Sequence, residues 1–208
     1  MVESHKRVGR EHLLKTAEAL FTEHGYQGVS IRMIAEDSGV SKAALYYHFD
    51  SKAALFEEVM RTHTRRINAL IQRAGQEEEH TLDKLKAMAG EYFHQVSHQR
   101  SLINLVRQRT KELKGAGDRK TFVGMMTSVL QPFDDVLKAA ARSGETVELP
   151  EGFSTAAMLV GMLHSQAGYR RICHNQTLTE DDVHGVVDLM WHGIAVQEKG
   201  AERETESG

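Results

Sequence analysis

The sequence predicts an all-α protein, and three observations carry that reading. Apolar residues recur at helical spacing through most of the 208 residues, no stretch alternates in the manner of a strand, and two helix starts stand back to back around a tight turn. Leu13, Leu14, Ala17, Leu20 and Phe21 mark the inner face of a first helix, with Gly25 as its stop. Ser30 is placed to cap the next, with Val29 before it and Ile34 at the inner position that completes a hydrophobic staple. The device recurs at Ser41, with Val40 before it and Leu45 inside, so the turn Asp37-Ser38-Gly39-Val40 sits between two specified helices.

The second of those helices presents a face suited to nucleic acid. At 100° per residue, Lys42, Ala43, Tyr46 and Tyr47 fall on one side, while Ala44, Leu45 and His48 fall on the other. Small residues near the helix start permit close approach to base edges. The tyrosines offer hydroxyls for phosphates and rings for thymine methyls, and Lys42 adds charge. The set expected at DNA, caps and neighbours included, is Ser30, Arg32, Ser41, Lys42, Ala43, Ala44, Tyr46, Tyr47, His48 and Lys52.

Ile34-Ala35, Gly39-Val40-Ser41, Leu45-Tyr46-Tyr47-His48-Phe49 and Ser51-Lys52, with Leu55-Phe56 following, resemble the helix-turn-helix signature of the TetR/AcrR regulators over about the first quarter of the chain. Beyond it only the length and helical rhythm match. Ala43 departs from the pattern, since many members carry glycine there. The resemblance implies a three-helix DNA-binding head joined by a bridging helix to a larger helical body that binds an effector and dimerises.

The remaining elements follow in order. A long helix from Lys52 to about Ala74 carries Leu55, Val59, Ile67, Leu70 and Ile71 on its apolar side and would span roughly 30 Å, enough to join two domains. Further helices are expected from Leu82 to about His98, Ser101 to Leu113, Asp118 to about Ser143 with a kink at Pro132, Ser154 to Ile172, and Thr179 to Gln197. Gly115-Ala116-Gly117 and Gly144 to Gly152 read as breaks. Thr179 with Asp182 spells a capping box at the start of the last helix, and Leu178 with Val183 a staple. The expected division is a head at 1–52, an effector-binding and dimerisation body at 53–197, and a disordered tail at 198–208.

Composition narrows the class. The chain is 40% hydrophobic and 26% charged, and one cysteine, Cys173, leaves no internal disulfide framework. With no charged-then-apolar leader and no apolar run of membrane length, the expected location is the cytoplasm, without membrane contact. Net charge is −3, against the usual basic footprint of a nucleic-acid binder, so placement matters more than the total. Residues 1–66 hold ten Lys and Arg against nine Asp and Glu. Lys6, Arg7, Arg10 and Lys15 lie ahead of and within the first helix, and Arg32, Lys42 and Lys52 on the motif.

In the body, Met88, Tyr92, Phe93, Phe122, Met125, Met126, Met158 and Met162 form an adaptable interior, equally consistent with core filling and with a pocket for an apolar or amphipathic molecule. The family resemblance favours the pocket. Ala157, Gly161 and Gly168 on one late helix, with Val183, Val187, Met190 and Ile194 on the next, fit either core packing or a four-helix dimer interface, and the resemblance favours the dimer. A two-fold dimer would address a palindromic operator on double-stranded DNA. His94 and His98, four apart on a helix, could hold a metal only with a third ligand, and none is apparent.

No HExxH, no phosphate-cradling glycine loop and no nucleophile elbow occurs, and Cys173-His174 point apart on a helix. The expectation is therefore a protein that is not an enzyme, without cofactor, metal or catalytic residues, and the resemblance implies a regulator, a repressor released by a small molecule. A DNA-binding adaptor lacking an inducer, or a metal-dependent helical hydrolase on His94 and His98, are the competing classes.

Overall fold

The computed structural model describes residues 2–97 and 116–195, with side chains except at 2–8, 116–122, 125 and 126. Among the described residues the chain forms eight helices: α1 Val2–Gly28, α2 Ile31–Asp37, α3 Lys42–His48, α4 Lys52–Gln76, α5 Thr81–Ser97, α6 Ala116–Ser143, α7 Thr155–His174 and α8 Glu180–Ile194. The only extended pairing among them is an isolated bridge between Thr146 and Ala195, where Val147 N donates to Ile194 O at 2.8 Å. The expected helix Ser101 to Leu113 and the tail 198–208 lie outside the described residues. α6 is described from Ala116, so the Ala116-Gly117 part of the expected break is helical.

Caps fix the ends as the sequence spells them. Ser30, Ser41, Ser51 and Ser154 each accept from a backbone N–H three residues on, and Thr179 and Asp182 complete the reciprocal box. Gly25 adopts φ 73° and ψ 168°, a left-handed break that ends the regular run of α1 where glycine predicts it. A single further turn then leads to Ser30.

Two hydrophobic clusters organise the chain. The head cluster gathers Leu13, Ala17 and Phe21 of α1, Ile34 of α2, Leu45 of α3 and Leu55, Phe56 and Val59 of α4. Phe21 meets Phe56 edge-on at 5.1 Å and 90°, an aromatic pair that adds to the burial of both rings. The body cluster takes Ile67 and Ile71 from the second half of α4, then Leu85, Met88 and Tyr92 of α5, Phe133 and Leu137 of α6, Leu159 and Leu163 of α7, and Val187 of α8. One helix therefore belongs to both cores, with buried Thr64 between its two halves. Leu70, expected on the apolar side, is 37% exposed. Ile67 and Ile71 already fill the inward positions of that turn, which leaves Leu70 at the edge of the stripe.

Packing of α5 on α4 is close because Gly75 faces Met88 and Lys84. A Cβ there would lie 2.8 Å from Met88 Cγ. Tilt at the head end of α4 is held by charge: Glu18 of α1 accepts from His63 Nδ1 at 2.9 Å and from Arg66 at 2.8 Å. The His63 bond, aided by Arg66 and opposed by burial, holds the Glu18 carboxyl below its ordinary value. Arg10 reaches Glu58 at 3.3 Å in a second tie between the same two helices.

Candidate nucleic-acid interface

The reading helix α3 is set by the turn before it. Ser38 caps the end of α2, its hydroxyl donating to Ile34 O, and Gly39 at φ 69° turns the chain so that Val40 N reaches Ala35 O at 3.0 Å. His12 Nε2 meets Ser38 O at 3.2 Å, tying α1 to this turn. Leu45 and Phe49 are buried, so one edge of α3 is pinned to the head core and the opposite side is presented.

On that side stand Lys42, Ala43, Tyr46 and Tyr47, all exposed, Tyr47 at 68% and Tyr46 at 51%. Two large aromatic rings thus stand mostly in solvent. Tyr47 is steadied by an edge contact with His48 at 5.3 Å. Ala44 is exposed, although helical spacing assigns it to the packing side. α3 has only seven residues and is held chiefly through Leu45 and Phe49, so the buried arc is narrower than half the helix and excludes position 44. His48 is half-buried beside them.

The remaining expected contacts divide. Ser30 and Ser41 are exposed caps at the mouths of α2 and α3. Arg32 is exposed and bonded to Glu36 at 2.6 Å, the contact that raises its pKa further. Lys52 differs from expectation. Its Nζ donates to Tyr26 O at 3.0 Å and Val29 O at 2.9 Å and lies 4.3 Å from the centre of the Tyr26 ring. The start of α4 is thereby fastened to the backbone leading into α2, and the ammonium is turned inward to carbonyls at the end of α1, where helix geometry leaves acceptors to be met from outside. Of the basic residues near the first helix, Arg10 pairs with Glu58 and Lys15 with Glu11, while the Lys6 and Arg7 side chains lie outside the described residues.

Residues 13–59, spanning this arrangement, match the model of the bacterial regulatory proteins of the tetR family. That match places a TetR-family DNA-binding domain at the head, and the chain is similar to TetR-family regulators. It is 28% identical over 180 residues to the HTH-type transcriptional repressor BepR of Brucella suis, covering 79% of this chain and 85% of that protein. It is 30% identical over 84 residues to the biofilm operon negative regulator IcaR of Staphylococcus aureus, covering 40% of this chain and 45% of that protein. The solved structure of the Bacillus subtilis regulator FadR in complex with stearoyl-CoA superposes with a TM-score of 0.68 at 18% identity, covering 88% of this chain and 98% of that one. The chain is thus a DNA-binding transcriptional regulator with an N-terminal helix-turn-helix and a helical body.

Within the body, Met88 and Tyr92 are buried in the core, and Tyr92 Oη meets His164 Nε2 at 2.7 Å. Met162 is half-buried against that core, whereas Met158 is 46% exposed. Met158 follows the outer side of α7, a turn-to-turn neighbour of Gly161 and not of Leu159. The Phe122, Met125 and Met126 side chains, and His98, lie outside the described residues. A cleft of about 400 Å³ opens between the start of α5 and the end of α6, floored by Val136, Ala139 and Ala140 and edged by Lys84, Asp135 and Glu145. The Glu145 carboxyl is held below its ordinary value by bonds from Thr81 and Ser143. Among the described residues no three His, Cys, Asp or Glu side chains converge as metal ligands would.

Of the residues expected at a dimer interface, those on the last helix differ from expectation. Val183, Val187 and Met190 are 1%, 0% and 5% exposed and belong to the body core, with Ile194 half-buried against it. An apolar stripe that faces the core and one that faces a partner have the same period, and here the core took it. Ala157 and Gly161 are exposed and Gly168 half-buried. Spacing alone missed the outer stripe beside them: Met158, Tyr169 at 55% and Ile172 at 81% on α7, and Leu189 at 68% on α8. The run 158, 161, 165, 169, 172 was the available signal.

Proposed function

We propose that this regulator is a homodimeric repressor that holds a palindromic operator and releases it when an amphipathic molecule, of the fatty-acid or acyl-thioester class, occupies the body. The observation that carries the reading is the sharing of α4 between two cores. Leu55, Phe56 and Val59 anchor its first half in the head, and Ile67 and Ile71 its second half in the body. A rigid helix so clamped transmits any ligand-dependent shift of the body as a tilt of the head. Glu18, His63 and Arg66 sit where that tilt would pivot. A change in the spacing of two reading helices loses register with successive major grooves.

Dimerisation is supported by the outer face of α7 and α8, where Met158, Tyr169, Ile172 and Leu189 stand in solvent around exposed Gly161 and Gly185. Small residues there allow close approach of a second copy. The ligand class is supported by the fold shared with FadR, which was solved with stearoyl-CoA, and by a methionine-bearing body core. A repressor role is supported by the similarity to the repressor BepR and the negative regulator IcaR.

Binding the intact conformation stabilises it by about 2.7 kcal/mol at a hundredfold excess over the dissociation constant. Stearic acid and stearoyl-CoA should raise the melting temperature and free a labelled operator in a mobility-shift assay. A thermal rise without release would make the ligand a structural one. No response to a panel of acyl compounds would refute the ligand class.

A further inference from the structure

The outward side of α3 is defined as much by what it lacks as by what it holds. Asparagine or glutamine reads adenine, arginine reads guanine, and aspartate or glutamate accepts from cytosine. None of these five occurs in the seven residues Lys42 to His48. Turning about the axis from buried Leu45 and Phe49, Ala43 and Tyr47 occupy the middle of the presented face, with Lys42 and Tyr46 on one flank and Ala44 on the other. The arginine of α2, Arg32, is bonded to Glu36, and Lys52 is held by two carbonyls. The centre of this surface is therefore a methyl group beside an aromatic ring. In the major groove the base-edge feature that complements such a surface is the C5 methyl of thymine. Lys42 forms no ion pair among the described residues, and it is the one cation on the presented face, suited to O6 and N7 of guanine.

We propose that the protein reads each half-site chiefly through thymine methyl groups seated against Ala43 and the Tyr47 ring, with Lys42 marking a flanking guanine. The proposal rests on the DNA-binding role of the head and deepens it by naming the base chemistry recognised. It is separable from the repressor and ligand readings above, which concern the body.

The test uses the full-length protein and a pool of random-sequence duplexes. The preferred duplex is resynthesised with deoxyuridine in place of thymine, one position at a time, and with 7-deazaguanine in place of guanine. Removing a seated methyl should weaken binding about fourfold at one or two thymines in each half-site, the worth of one buried methyl group. The 7-deazaguanine penalty should appear for the parent protein and vanish for Lys42→Ala. The ratio of thymine to uridine affinity, taken within each protein, cancels any general loss caused by substitution. That ratio should fall toward one for Ala43→Gly at one position and for Tyr47→Ala at another. Uridine tolerated at every position, or a uridine penalty unchanged in both variants, would overturn the proposal while leaving the protein a DNA binder. A pool that yields no preferred duplex would overturn sequence-specific reading altogether.

Discussion

Replacing Lys52 with methionine separates two roles for one side chain. The signature alone suggests a phosphate contact, whereas the structure places Nζ 3.0 Å from Tyr26 O and 2.9 Å from Val29 O, with the Tyr26 ring 4.3 Å away. Lys52→Met keeps most of the stem volume and removes the ammonium, leaving both carbonyls without that donor. Hydrogen bonds to a charged group contribute about 1.5 to 3 kcal/mol each, and a cation over an aromatic ring about 0.5 to 1 kcal/mol at an accessible site. Lys52 is half-buried, so water can replace part of what is lost, and the expected net destabilisation is about 2 to 3 kcal/mol. For a chain of this length that corresponds to a fall in Tm of roughly 5 to 10 °C. Urea titration followed by circular dichroism measures the loss, and operator titration at several salt concentrations measures the contact. The salt slope should stay unchanged, since no phosphate contact is removed. An unchanged urea midpoint with a slope reduced by about one would put Nζ on the DNA and refute the reasoning.

Lys42→Ala should behave in the opposite way, weakening operator binding and relaxing the preference at one base pair of each half-site with an unaltered urea midpoint, because its side chain is exposed and unpaired among the described residues. Leu189→Glu, on the outer face of α8, should give a folded monomer by sedimentation that binds the operator poorly, whereas Val187→Glu, at 0% exposure, should fail to fold by circular dichroism. A folded Val187→Glu protein would move that residue out of the core. Asp182 is lowered to about 2, chiefly by the hydrogen bond from Arg170 and then by the Thr179 backbone, against 3.8 ordinarily. Its charge therefore stabilises the fold above about pH 4, and that stabilisation is lost as pH falls through about 2. Asp182→Asn should flatten the fall in urea midpoint across that window, and an equal fall in both proteins would assign the acid sensitivity elsewhere.

Local chemistry was the legible part of this sequence. Ser30, Ser41 and the Thr179-Asp182 box each make the bonds their spacing spells, since a cap depends on residues within one turn. Gly25 breaks α1 for a reason internal to glycine. Tertiary choices were not legible in the same way. Val183, Val187 and Met190 carry a pattern that serves a core or a partner equally, and only the packing of α5 and α7 against α8 decides between them. Lys52 is set by the signature, but the destination of its ammonium depends on the Tyr26 and Val29 carbonyls, more than twenty residues away. Leu70 and Ala44 lie at the margins of their stripes, where a few degrees of rotation change exposure. The charge tie from Glu18 to His63 and Arg66 crosses two helices and carries no sequence signal at all.

Mapping the DNA fragments bound by the full-length protein from its own genome, with and without an acyl thioester, separates an effector-released repressor from a DNA binder without an inducer. A repressor of this kind should yield a small set of sites, each an inverted repeat with half-sites about one helical turn apart, depleted when the thioester is present. Recovery of many unrelated fragments without an inverted repeat, unchanged by the thioester, would contradict it.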